Sequence, residues 1–425
     1  MHPADATQTL NRDIARVAKT TLINSRSADE SYPYWLLYCG FFLNGMGVVL
    51  LGPLLPHISH AGGLSDWQEG ALLAAQFLGS SLGSLFASRH YHTMIARGSM
   101  SSCLGIASVA LALTSGHNPP VILAITSLLV YGFGLGQVMT SINLTLGRDA
   151  EGRVSRLSLG NALWSLGAIL SPMLLTQLLQ RVVALNSILF LVAASFLGFT
   201  LLSKIVVVQR SNLELVNATT NIPHSSFPIR VLLLFGAMFF LYGGAETCFS
   251  GWLTTFAHRS AGIPNTISPL CTSAFWFGVA GGRALANILL RGFYQRWEMY
   301  ILCGGALICS LGLLGSGTML SLSIVAACCG TFLGPIFPVA FSSLLSMDPS
   351  PRQSGFVLTC CGVGASALPL FLGILSQVAS LRMALFLPSA CLLTMLALAW
   401  LLDRFNFSSP IPNLQATIKS EPVAN

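Results

Sequence analysis

Residues Val231–Ala257 read VLLLFGAMFFLYGGAETCFSGWLTTFA, an almost unbroken apolar run with one carboxylate, Glu246, set inside it. At ~1.5 Å per residue a helix of this length runs ~40 Å, enough to cross a bilayer with some tilt. Hydrocarbon does not solvate an ionised carboxylate, so Glu246 must face a polar cavity, find a partner or stay protonated. Tyr242 lies one turn before it, and Phe249 and Ser250 lie one turn after, so helical spacing predicts a stripe with an aromatic ring on either side of an acid. Gly243, Gly244 and Gly251 suit close helix packing or a bend. Two readings stand: a substrate or ion site near the membrane midplane, or a neutral Glu that hydrogen-bonds a neighbouring helix.

The rest of the chain has the same character. Apolar residues make up 53% of the 425 and charged residues only 8%, where a soluble protein carries about a quarter charged. A soluble core is excluded, and a polytopic membrane protein is expected. The net charge of +7 is scattered over short loops without a patch, so no nucleic-acid partner is expected. Eleven cysteines, most inside apolar segments, fit neither metal nor disulfide spacing. The first 33 residues are polar and mixed in charge, with no sign of a cleavable signal peptide.

Apolar segments recur at 34–56, 67–88, 95–115, 119–146, 157–179 and 185–207, then at 231–257, 267–290, 299–318, 322–346, 354–378 and 383–402. Twelve spans in two sets of six predict an all-α membrane protein: a tail (1–33), a six-helix lobe (34–207), a linker (208–229), a second lobe (230–402) and a tail (403–425). With the N-terminus inside, seventeen Lys and Arg fall on the cytoplasmic side against three opposite, which predicts cytoplasmic termini and linker in a multi-pass protein of the cell membrane. The halves echo one another. Gly79 and Gly83 of span two recur 199 positions later as Gly278 and Gly282 of span eight, and Gly167-Ala168 with Pro172 recurs as Gly364-Ala365 with Pro369. Such agreement points to a duplicated unit, the parallel-repeat architecture of a two-lobed transporter.

Two sixes joined by a central linker resemble the major facilitator superfamily. Tyr242-Gly243-Gly244-Ala245-Glu246 with Trp252-Leu253, Gly282-Arg283 with Arg291, Phe337-Pro338-Val339-Ala340-Phe341-Ser342, Gly136 to Asn143, and Arg156-Leu157 resemble its fucose–galactose–glucose symporter (fucose permease) branch. That resemblance implies cation-coupled uptake of a small neutral polar solute such as a hexose, by alternating access. The departures matter. Ser84 and Ser88 replace the Gly and Asp of the superfamily's signature loop before Arg89, and the branch's acids of spans one and four fall at Gly47 and Met139. Asn161 stands where a span-five Gln is expected, and Trp164 replaces an Asn. Glu246 is left as the one acidic coupling candidate well inside a span, for H+ or Na+.

Asn44, Gln76, Gln137, Thr140, Asn143, Asn161, Trp164 and Trp276 offer the amide, hydroxyl and indole groups that a sugar's edges and C–H face require. Intramembrane amides also join helices, for about 1 kcal/mol or less. Gln137 and Asn161 lie on spans that commonly line the pore in this fold. Arg283, the cation well inside an apolar segment, reads foremost as a brace of the cytoplasmic gate, with pairing to an anionic substrate as the alternative. Arg89 and Arg291 join it as gate residues. The histidines His57, His60, His90, His92 and His258 lie at span ends, and Asp66 and Glu69 open span two as ordinary helix-start acids. No Walker loop, metal cluster or paired acid is present in the spans, so no enzymatic activity, ATP drive or cofactor is expected. The partners expected are a small-molecule substrate and the lipid bilayer, with the chain acting as a monomer. A proton-driven efflux carrier for drugs or metabolites is the second reading, kept open by the missing acids and the aromatic residues. A non-transporting sensor is the third, disfavoured by the short tails.

Overall fold

In hydrocarbon a chain must satisfy its backbone hydrogen bonds internally, and runs as long and apolar as these do so as helices. The computed structural model describes residues 29–90, 94–114, 121–147, 153–206, 208–210, 228–289, 295–347 and 349–406. The first six-helix lobe comprises α1 (Tyr34–Gly62), α2 (Asp66–His90), α3 (Met94–Thr114), α4 (Val121–Leu146), α5 (Arg153–Gln180) and α6 (Leu185–Ile205). The second comprises α7 (Ile229–Arg259), α8 (Pro269–Leu289), α9 (Gln295–Gly315), a broken span of α10 (Met319–Leu333) and α11 (Ile336–Leu345), α12 (Pro351–Val378), and a second broken span of α13 (Leu381–Ala384) and α14 (Phe386–Asn406). Among the described residues, eleven spans are long and apolar enough to cross a membrane. The twelfth, α8, has the length but is diluted by Arg283 and by small polar residues. Each span crosses the bundle, so α1 begins and α14 ends at one end, here called the tail end. The other is the far end. Outward faces carry unpaired apolar side chains such as Ile122, Ile308 and Val378, as a lipid-facing surface requires.

Local chemistry sets the ends and breaks. The first helix closes at the far end on Gly63, whose φ of 58° is left-handed and costs glycine little. Capping boxes start α10 (Thr318 with Ser321) and α12 (Ser350 with Gln353). Span ten, expected as one helix over 322–346, is broken at Gly334-Pro335. Pro338 has no N–H to offer the Gly334 carbonyl four residues earlier, so the helical ladder cannot run through. Span twelve breaks at Leu385 in the same way, with Pro388 four residues after Ala384. A short antiparallel pair, β1 (Asp29–Ser31) with β2 (Val208–Arg210), ties the segment before α1 to the one after α6. It falls in the stretches expected as tail and linker, and it is the one departure from an all-helical chain among the described residues.

Packing shows the duplication directly. A methyl group on Gly79 or Gly83 would land on the Leu129 or Phe133 carbonyl of α4. On Gly278 or Gly282 it would land on the Ala327 or Thr331 carbonyl of α10. Both helix pairs therefore approach backbone to backbone through small residues at corresponding positions. The same holds for Gly167 against Phe42 of α1 and Gly364 against Phe240 of α7. Two lobes of one design face each other, with α2 lying along α12, α5 beside α8 and α1 beside α7.

Candidate functional site

Glu246 finds a partner within the protein. Arg283 on α8 donates from Nη2 to Glu246 Oε1 at 3.0 Å, and the Tyr242 hydroxyl donates to the same oxygen at 2.8 Å. Tyr242 also accepts from Arg283 Nη2 at 3.3 Å, which closes a three-membered ring of contacts. Arg283 Nε donates to the Gly334 carbonyl at 3.2 Å. That is the carbonyl which Pro338 cannot serve, so the proline of span ten creates the acceptor that fixes the guanidinium beside the acid. Phe337, next to Pro338, packs its ring 5.8 Å from that of Tyr242. The pair is incompletely covered: the side chains are 18% (Glu246) and 34% (Arg283) exposed.

A second cluster joins the lobes. Trp164 on α5 meets Trp276 on α8 edge to face, with centroids 5.3 Å apart. Each indole is anchored in its own lobe: Trp164 Nε1 donates to Asn44 Oδ1 at 3.1 Å, and Trp276 Nε1 to Ser250 Oγ at 3.1 Å. Asn44 in turn donates to the Leu135 carbonyl at 2.8 Å, tying α1 to α4. Ser273 of α8 donates across the interface to the Ile169 carbonyl of α5 at 2.9 Å. Ser250 is one turn from Glu246 on α7, and Trp276 is two turns from Arg283 on α8. The ion pair therefore lies on the inter-lobe face, just to the tail side of the paired indoles. Asn161, exposed and one turn tail-ward of Trp164, belongs to the same level, with its Nδ2 donating to the Leu157 carbonyl of its own helix at 2.8 Å.

The far end is drawn together by side chains from both lobes. Arg259, at the end of α7, pairs with Asp66 at 2.6 Å and with Glu69, and Ser376 of α12 donates to Asp66 at 2.6 Å. Asp66 and Glu69 read as helix-start acids in the sequence. The signal that would have joined them to Arg259 is the placing of opposite charges at the same membrane level on spans two and seven.

Several expected site residues lie elsewhere. Gln137 is buried inside the first lobe, where Nε2 lies 3.6 Å from Met94 Sδ of α3, and it does not line the space between the lobes. Its helix is pressed against α3, so the amide points into that contact. Asn143 is spent on its own helix, donating to the Met139 carbonyl at 3.0 Å. Gln76 donates to the Val48 carbonyl at 2.8 Å and joins α2 to α1. Phe249, expected to flank the acid, is sealed against Phe275 with centroids 5.8 Å apart. Arg283, expected foremost as a brace at helix ends, does brace the break in span ten but is also the counter-ion of Glu246. Arg89 lies in the last turn of α2, and Arg291 lies outside the described residues.

Two six-helix lobes enclosing a polar, part-exposed centre define a membrane transporter. The chain belongs to the Major Facilitator Superfamily, whose family profile matches residues 37–369. It is 21% identical over 408 residues to Bypass of stop codon protein 6 of Saccharomyces cerevisiae, covering 85% of this chain and 80% of that one. Its fold is similar to a bacterial homologue of the human lysosomal transporter Spinster, solved inward-facing and unoccupied, with a TM-score of 0.69 and 13% identity over 90% of this chain and all of that one. It is also similar to the transporter FucP in an outward conformation, with a TM-score of 0.57 and 20% identity over 87% of this chain and 98% of that one.

Proposed function

We propose that the protein takes up a small neutral polar solute, with a hexose the best fit, by rocking its lobes (34–207 and 230–402) about the paired indoles. The observation that carries this reading is the Glu246–Arg283 pair. Because the acid's charge is cancelled by the protein's own guanidinium, the part-exposed pair offers hydrogen-bonding groups without net charge. A sugar's hydroxyls need such groups. The positive-inside bias sets the tail end in the cytoplasm of a cell-membrane protein. The arrangement described, tied at the far end, is then the one open inward, in keeping with the greater likeness to the inward-facing Spinster homologue.

Coupling acts through competition for Glu246. A proton or Na+ on the carboxylate releases Arg283, and the freed guanidinium and Tyr242 hydroxyl are then available to solute. In proteoliposomes, hexose entry should drive H+ or Na+ entry. Glu246→Gln should keep hexose exchange and lose the coupled cation flux. Unchanged coupling in that variant removes Glu246 from the mechanism. Failure of every monosaccharide to move, together with drug sensitivity in a knockout strain, favours the efflux carrier instead.

A further inference from the structure

The far-end cluster holds a charge that the solute site does not use. Arg259 reaches from α7 into the first lobe, donating from Nη1 to Asp66 Oδ1 at 2.6 Å, from Nη2 to Ser59 Oγ at 3.2 Å and from Nη2 to Glu69 Oε1. Asp66 is well served, since its Oδ2 accepts from Ser376 at 2.6 Å and its side chain is 24% exposed to solvent. Glu69 is not. Its side chain is fully buried, at 0% exposure, and Oε2 has no hydrogen-bond partner among the described residues. Thr255, one turn before Arg259 on the same face of α7, is equally buried, and its Oγ1 has no partner either. Helices α2 and α7 run antiparallel here. A side chain on Gly251 would meet Leu73, and Arg259 meets Glu69, which puts Thr255 between those two contacts.

One guanidinium thus faces two carboxylates. With both ionised, the closed interface keeps one uncompensated negative charge, on an atom that has no donor and no water-exposed surface. A proton on Oε2 removes that charge. The other charged or titratable groups of this end are Arg259 and His258 on α7, Asp66 on α2, and His57 and His60 on α1. Beyond Arg259, none of these donates to Glu69; the Ser59 hydroxyl of α1 lies beside it, shared with Arg259 and the Leu64 carbonyl, and α12 adds the hydroxyl of Ser376.

We propose that Glu69 is a proton-binding site controlling the far-end closure: the closed interface takes up one proton and the open one releases it. This rests on the alternating-access reading, but its test reads conformation rather than transport, so either can fail without the other. Full-length protein in nanodiscs, with its reactive cysteines replaced, would carry spin labels at Ala61→Cys and Thr266→Cys across the far end. The closed population should grow as pH falls, by at most about tenfold per pH unit for one proton. Glu69→Gln should stay closed at every pH. Asp66→Asn, which leaves Arg259 to Glu69 alone, should flatten the response. Should Glu69→Gln not fold, Glu69→Asp should shift the pH midpoint of the closing. A wild-type distance indifferent to pH, or a pH response that survives Glu69→Gln, overturns the proposal. Closure that follows Na+ at fixed pH also overturns it, by assigning the site to sodium.

Discussion

Glu246 and Arg283 should behave as one unit in a double-variant cycle. At their 3.0 Å separation the gross Coulomb attraction is ~5 kcal/mol for an effective dielectric of about 20. Desolvation of both groups offsets much of that, and their exposures of 18% and 34% leave them partly screened. Breaking a fully buried pair costs about 3–5 kcal/mol, so the discount for exposure leaves about 2 kcal/mol for removing one charge here. Glu246→Gln is the cleaner perturbation, because the amide oxygen still accepts from the Tyr242 hydroxyl and only the charge is lost. Arg283→Gln should cost more, since it also gives up the bond to the Gly334 carbonyl beside the break in span ten. The double variant should be less destabilised than the two single losses added together, by about 1–2 kcal/mol. Thermal unfolding of the detergent-purified protein, followed by tryptophan fluorescence, measures all four members of the cycle. Strict additivity would show that the two groups do not sense each other's charge, and the charge cancellation argued from their pairing would then have no basis.

Three further outcomes follow from the packing. Gly79→Leu and Gly278→Leu should each lower the yield of folded, monodisperse protein on size exclusion, because either side chain must displace a backbone carbonyl of the facing helix. Ala substitution should cost less at both. Trp164→Ala should destabilise by about 3–5 kcal/mol, since it removes a buried indole, its contact with Trp276 and the donor to Asn44; thermal unfolding against Trp164→Phe reads the part owed to the hydrogen bond. A cysteine at exposed Asn161 should react with a water-soluble maleimide, whereas one at buried Gln137 should not. Equal labelling would put Gln137 back on a water-filled path.

The amino-acid sequence by itself determined the architecture. Apolar runs too long and too weakly charged for a soluble core can satisfy their backbone only as membrane-crossing helices. The glycines that let α2 meet α4 and α8 meet α10 recur at one offset because the same close contact is made twice. Sequence also singled out Glu246 and Arg283, since ionisable groups inside such runs are conspicuous by their cost. It could not join them, because they are 37 residues apart and on different helices. The pairing depends on the angle between α7 and α8 and on a carbonyl left free by Pro338. Nor could spacing tell Gln137, turned into the α3 contact, from Asn161, exposed one turn from Trp164. A helix's rotation about its own axis is set by its neighbours, and in an apolar run with little amphipathic contrast the sequence carries faint record of it. The same physics hid the far-end cluster. Asp66 and Glu69 look like routine helix-start acids until the second lobe places one arginine against both, and only that tertiary contact leaves a buried carboxylate oxygen without a donor.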